Sequence, residues 1–284
     1  MARKSIRDSL VLNPERLDSE VGELYLTEFS WSRLDKYKWC PKQYKLSYCD
    51  MHPTGWTSPL ALGSAVHEAL ENAVKFGVED KTEVVGFLIQ AIEKNDPDKQ
   101  LSDDDISQAR IQVTEVFDRM QESANGVGNI VDVEWGFRYI IGRGLFTGFV
   151  DVIAYDEDEQ GEFIHILDYK SGKRGKKKTK THGQTKLYTL AVMKRFPGMR
   201  IKASLYWTKE NYVDTYEYST QELIEFEEWA IKEVNDIIED DSYNVTKDVF
   251  KCAYCDYATD ELCKYGVGCA KRFNNMRRAK AAKI

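Results

Sequence analysis

The spacing of apolar residues changes near residue 125, and this change restricts the fold more than any other feature of the chain. Before it, apolar and aromatic residues recur every three or four positions; after it, they alternate or form short runs bounded by glycine and acidic turns. Thr27 to Tyr48, with Phe29, Leu34, Tyr37 and Tyr44 in step and Ser30 as N-cap, predicts a short helix interrupted near Pro41. Leu60 to Phe76 predicts an amphipathic helix, and Lys81 to Lys94 and Asp103 to Ser123 predict two more. Consecutive strands are then expected over Ile130 to Ile141, Leu145 to Tyr155 and Glu162 to Tyr169. A helix over His182 to Arg195, strands over Ile201 to Thr208 and Tyr212 to Tyr218, and a helix from Thr220 to Glu239 follow. Past Asp241 the chain is rich in cysteine, aromatic and basic residues without clear period, which points to a small subdomain stapled by a ligand. The expected organisation is a helical region over 1–125, an α/β core over 126–240 and a Cys-rich, basic segment over 241–284.

A hydrophobic content of 42% supports a real core, and no apolar run approaches the roughly 18 residues needed to span a bilayer. The first residues lack the apolar stretch of a signal peptide, so a cytoplasmic location without membrane attachment is expected. In that compartment six cysteines read as ligands, reactive thiols or buried small side chains rather than disulfides. The net charge of −7 does not advertise a nucleic-acid binder, but its distribution is uneven. Lys170 to Lys180 (KSGKRGKKKTK) carries seven basic residues and no acid, and Lys271 to Ile284 carries six basic residues and no acid. Each run can be a solvated loop or tail; the alternative is a track along a phosphate backbone, with Lys173, Arg174, Lys176, Lys177 and Lys178 as DNA contacts.

The chemistry concentrates on two strands. Asp151 is a charge inside the apolar GFVDVIA, while Asp168 and Lys170 stand two apart in HILDYKSGK and so share one face of a strand. If the strands pair as a hairpin, Asp151 lies opposite them. Carboxylates gathered in this way bind a hard divalent cation, and a lysine ammonium beside them holds water and offsets charge on a pentavalent phosphoryl transition state. Phosphodiester hydrolysis fits this set, although a lone D-x-K is common on strand edges. His67 reads equally as a hydrogen-bonded core histidine, and Gln184 and Tyr188, four apart, as a polar stripe on one helix face. Glu134 in VDVEWGF is a further acid whose simplest reading is a surface charge at a strand end.

In order along the chain, SWSRLDKYKWCPKQYKL, LGSAVHEALE, GFVDVIA, ILDYKSGK and QTKLY resemble the RecB-like branch of the PD-(D/E)XK nuclease superfamily, over Ser30 to Tyr188. The resemblance implies a restriction-endonuclease-like core, a mixed central sheet flanked by helices. It also implies that His67, Asp151, Asp168 and the Tyr169 carbonyl hold the metal, that Lys170 assists the attacking water, and that Gln184 and Tyr188 position the strand or the lysine. A histidine ligand makes manganese a better activator than magnesium, because imidazole suits softer ions.

Cys252 and Cys255 form C-x2-C, followed by Cys263 and Cys269. These four alone could make a local zinc knuckle. Alternatively, the chain resembles the iron-sulfur nucleases of the same superfamily, such as the AddB nuclease and the CRISPR-associated adaptation nuclease, in which one cysteine before the core joins three after it. That resemblance implies a [4Fe-4S] cluster on Cys40, Cys252, Cys255 and Cys263, with Cys269 the alternative fourth ligand and Cys49 outside the set. The functional expectation is a metal-dependent DNA exonuclease acting on single strands or ends in recombination, repair or phage DNA metabolism. The chain carries no G-x4-G-K-[ST] phosphate loop, so any unwinding is expected from a helicase or recombination partner. The competing expectation is a non-catalytic DNA- or partner-binding protein on the same scaffold.

Overall fold

The computed structural model describes residues 26–55, 57–121, 129–174 and 178–281. Lys176 and Lys177, two of the candidate DNA contacts, lie outside the described residues. Among the described residues no helix is long and apolar enough to cross a membrane.

The sheet is built on two long antiparallel strands, β2 (Asn129–Ile141) and β3 (Gly144–Asp158), followed by β4 (Gly161–Lys170). β5 (Arg200–Trp207) pairs parallel to β4, and β6 (Tyr212–Glu217) pairs antiparallel to β5. A three-residue strand, β1 (Thr27–Phe29), pairs parallel to the start of β3. Six strands thus form one mixed sheet in the order β1-β3-β4-β5-β6, with β2 on β3. The β4 segment FIHILDY is buried throughout because both faces of this strand are covered, which explains its near-continuous apolar run.

Helices cover both faces. On one side α1 (Trp31–Trp39), α2 (Pro41–Tyr44), α6 (Gly183–Arg195) and α7 (Thr220–Glu239) pack Leu34, Tyr44, Leu187, Phe226 and Val234 onto Phe146, Ile153, Ile164 and Ile166. On the other, α3 (Ser58–Lys75), α4 (Lys81–Asn95) and α5 (Asp103–Gln121) bring Val66, Leu70, Leu88 and Val113 onto Val152, Leu167 and Tyr169. Ser30 caps α1 as expected, accepting from the Arg33 N–H at 3.3 Å. The helix predicted over Thr27 to Tyr48 breaks where expected, into α1 and α2 at Pro41, but begins as β1 and ends in a π-helical turn over Lys45–Cys49. Pro41 opens α2 at its first position, where its missing N–H has no partner to lose.

The Cys-rich segment is also more regular than its sequence indicates: α8 (Val249–Ala253) precedes an 18-residue helix, α9 (Lys264–Ala281). It is tied to the start of the chain by polar contacts. The Thr246 hydroxyl and the Lys251 ammonium donate to the Trp39 carbonyl at 3.1 and 3.0 Å, and the Tyr257 hydroxyl donates to the His52 carbonyl at 2.9 Å.

One buried histidine gives the sheet a pH dependence. His165 on β4 is buried, its Nε2 2.7 Å from Ser204 Oγ, with Asp156 and Lys202 the nearest charges. Burial holds its pKa down to about 4, so the folded protein keeps it neutral where an unfolded chain, near 6.5, already binds a proton. Stability from this residue is therefore complete above the unfolded value and lost as pH falls towards the folded one. Between pH 8 and 5 the loss amounts to about 2 kcal/mol. Denaturant unfolding of the wild type and of His165→Gln at the two pH values measures it; an equal pH slope in both would exclude His165 as the source.

Candidate active site

Glu134 and Asp151 stand at an irregularity shared by two strands. In a regular strand, residues two apart face the same side. Yet Val150 packs with the α6 and α7 side while Val152 packs with the α3 to α5 side, and Trp135 and Val133 divide in the same manner. Both strands therefore turn their side chains over at one place, between the pairs Val133↔Val152 and Trp135↔Val150. Glu134 supplies the turn with φ of 47°, a left-handed conformation that costs a non-glycine residue about 1 kcal/mol or more. The two carboxylates consequently emerge together, against helix α3.

His67 projects from that helix. Its ligand atom and those of Glu134 and Asp151 lie within 4.8 Å of one another, the one such group of three or more among the described residues. His67 Nδ1 is 3.4 Å from Asp151 Oδ2, and the same oxygen accepts the Tyr169 N–H at 2.6 Å. Gly63, one turn earlier on α3, lets the helix lie close to the chain leaving β4: a Cβ there would be 2.9 Å from Ser171 Oγ. His67, Glu134 and Asp151, together with Glu71, Val133 and Tyr169, line a pocket with about 190 Å³ of empty space.

Asp168 and Lys170, on the neighbouring strand, form an ion pair with each other. Lys170 Nζ also donates to Gln184 Oε1 at 3.0 Å, and Gln184 Nε2 donates to the Tyr188 hydroxyl at 2.6 Å. The sequence-predicted pieces thus fall into two connected groups. One is His67, Glu134 and Asp151; the other is Asp168, Lys170, Gln184 and Tyr188, joined to the first by the Tyr169 N–H. The Tyr169 N–H faces the site and donates to Asp151.

Acidic groups crowd one another in the site. Burial, then Asp151 and Glu71, push Glu134 up to about 7. Burial also raises Asp168, with Asp151 adding to the shift and Lys170 opposing it. At His67 burial acts to lower the pKa, but Asp151 and Asp168 outweigh it and the net shift is upward. Tyr188 is held well above its usual value by burial and by Asp168, so its hydroxyl stays protonated. A histidine nitrogen with carboxylate oxygens is a donor set for a hard or borderline divalent ion. Glu134, which sequence reasoning placed at a surface strand end, is the acid nearest to this role. Its signal was its register across from Asp151, which appears only when the strands are paired.

Four of the cysteines meet in a separate pocket. Cys40, Cys252, Cys255 and Cys263 line one pocket with about 370 Å³ of empty space, while Cys269 is buried behind it, in hydrogen-bond contact with Cys252. Burial, with Cys269, Cys263 and Cys40 nearby, pushes the Cys252 thiol up to about 12. Cys49 is exposed and stands apart, 3.9 Å from the Tyr243 hydroxyl. Among the basic candidates, Arg174 stacks on Tyr212 at 4.2 Å, Lys173 is exposed, and Lys178 is exposed beside α6.

If the first group binds the cation, Mn2+ at about a hundred times its Kd raises the unfolding free energy by about 2.7 kcal/mol. Glu134→Gln and Asp151→Asn should each remove most of that gain, read as a shift in Tm with and without Mn2+. A full shift in both variants would place the cation elsewhere.

The sequence matches the PD-(D/E)XK nuclease superfamily over residues 28–263. No curated protein matches it significantly. Among solved structures, the Eubacterium rectale protein described as "Putative exonuclease" superposes with a TM-score of 0.51 at 11% identity, over 84% of this chain and 86% of that one. The protein SSO0001 superposes with a TM-score of 0.31 at 11% identity, over 68% of this chain and 82% of its own. The first likeness speaks to the fold, and the fold is the helix-flanked mixed sheet described above. With the sequence match running through β1, the acidic strands and the cysteine pocket, the chain belongs to the PD-(D/E)XK nuclease superfamily.

Proposed function

We propose that this protein is a metal-dependent DNA exonuclease acting on single strands or DNA ends. The observation that carries the reading is the His67, Glu134 and Asp151 cluster set beside an ion-paired Asp168 and Lys170 on adjacent strands. His67, Glu134, Asp151 and, after release from Lys170, Asp168 would hold Mg2+ or Mn2+. Bound there, the ion would supply Lewis-acid stabilisation of phosphoryl charge and lower the pKa of water. Lys170 serves as the mobile cation: its ammonium, steered by Gln184, leaves the Asp168 carboxylate and donates to the attacking water or to a non-bridging phosphate oxygen. Gln184 is fixed in turn by the protonated Tyr188 hydroxyl. The attacking water forms the new P–O bond as its proton passes to solvent, and the departing oxygen leaves as the old P–O bond breaks and takes a proton from water.

Lys170→Ala and Asp151→Ala should each slow cleavage by about a hundredfold or more. A cleavage assay with 5′- and 3′-labelled single strands under Mg2+ and Mn2+ measures this and gives the polarity. Unchanged rates in both variants would remove the assigned site, and absence of cutting by the parent protein under either ion would favour a non-catalytic DNA-binding role.

The four thiols around one pocket support a [4Fe-4S] cluster on Cys40, Cys252, Cys255 and Cys263 as part of the same reading. Its role is to staple the two ends of the chain, with a loop-closure stabilisation on the order of 4 to 5 kcal/mol. Protein purified without oxygen should be brown, absorb broadly near roughly 400 nm and hold about four irons per chain. Cys263→Ala should lose the colour and Cys269→Ala keep it; a colourless protein with one zinc would sink the cluster. A recombination or helicase partner would supply any unwinding.

A further inference from the structure

A groove of about 1100 Å³ opens between α1, the start of α6 and α7. Its wall carries Trp31, Phe226 and Trp229, with ring centroids 5.5 to 6.4 Å apart and mutual tilts of 33 to 48°. The rings are set into the fold and not draped on it. Trp31 lies so close over Gly183 that a Cβ at that glycine would come within 2.0 Å of the indole. Both tryptophans pack one side on the α6 and α7 core and are only partly buried, so ring surface is left facing the groove. Lys38, Lys178 and Lys186 surround them, Lys38 Nζ standing 4.4 Å over the Trp229 ring.

Gly183, in the groove wall, is the chain neighbour of Gln184, which holds Lys170. The groove wall thus stands one residue along the chain from the side chain that holds Lys170. Asp35 and Glu225 also line it, so phosphate attraction alone does not explain its character. Flat ring faces flanked by spaced ammonium groups suit a chain that alternates flat bases with phosphates, and only unpaired bases offer their faces for stacking.

We propose that this groove is a stacking track for single-stranded DNA, with bases on Trp31 and Trp229 and phosphates on Lys38, Lys178 and Lys186, leading the strand to Lys170. This rests on the nuclease reading and names the path by which that site receives its strand.

The test uses the full-length protein with Ca2+ in place of Mg2+ or Mn2+, and measures anisotropy of a short fluorescein-labelled oligothymidylate. Trp31→Leu and Trp229→Leu keep apolar contact with the core and remove the stacking face. Each should weaken binding about tenfold and reduce the quenching of protein fluorescence by the bound strand. Lys186→Ala should lower the salt dependence of log K by about 0.7, one phosphate contact, from a wild-type slope near −2 for three. Hydrolysis of bis(p-nitrophenyl) phosphate under Mn2+, a substrate too small to reach the groove, should be unchanged in all three. That control separates the two readings: loss of it in the wild type counts against the nuclease site, while the binding data report on the groove alone. Affinities within about twofold of wild type in both tryptophan variants, or an equal loss for duplex DNA, would overturn the proposal. Should either tryptophan variant prove unfolded by circular dichroism, the Lys186→Ala salt slope decides it, and an unchanged slope overturns it.

Discussion

Two carboxylates facing one another across paired strands govern this structure. Glu134 and Asp151 emerge where β2 and β3 both reverse their side-chain alternation, and Glu134 takes a left-handed backbone to do so. The reversal falls at the two acids, which share one face as opposed residues of an antiparallel pair do. Both reach His67 on α3, at a boundary between two hydrophobic clusters, where the dielectric is low and like charges repel. Glu134 is shifted upward first by its burial and then by the charges of Asp151 and Glu71. A site so arranged is destabilised until positive charge arrives, which is the electrostatic condition for binding a divalent ion.

The third carboxylate, Asp168, is held differently. It is 2% exposed and paired with Lys170, so its charge is matched inside the protein. The lysine in turn has two partners, Asp168 and Gln184, and exchange between them needs only rotation of its flexible stem. Tyr188, buried and protonated, closes this line of hydrogen bonds from the α6 side. The arrangement keeps an ammonium close to the acids without committing it to either.

Much of this was legible in the sequence, for physical reasons that also explain the rest. The β4 run is apolar on both faces because both faces are covered, and its D-x-K stands out against that background. Asp151 is visible on the same ground. Glu134 was undervalued because periodicity treats a strand as regular, whereas the reversal arises from pairing with β3 and leaves no local trace. β1 is only three residues long and is held by parallel pairing with Gly144 to Phe146, more than a hundred positions away, so no window of sequence reveals it. In α9, Gly266, Gly268 and two asparagines weaken intrinsic helix propensity, and packing against α8 and buried Cys269 makes up for it. Cys40 could be grouped with Cys252, Cys255 and Cys263 only by resemblance; their common pocket depends on the contacts that bring Trp39 beside Thr246 and Lys251.

Gly63 shows how an atom that is missing can set a distance elsewhere. Because it has no side chain, α3 rests almost directly on Ser171 at the end of β4. A helix is stiff over a single turn, so this contact fixes the height at which the imidazole of His67, four residues on, stands above the sheet. The glycine thus works as a spacer of zero thickness: the gap between histidine and carboxylates is calibrated by how closely the helix backbone can approach one serine hydroxyl.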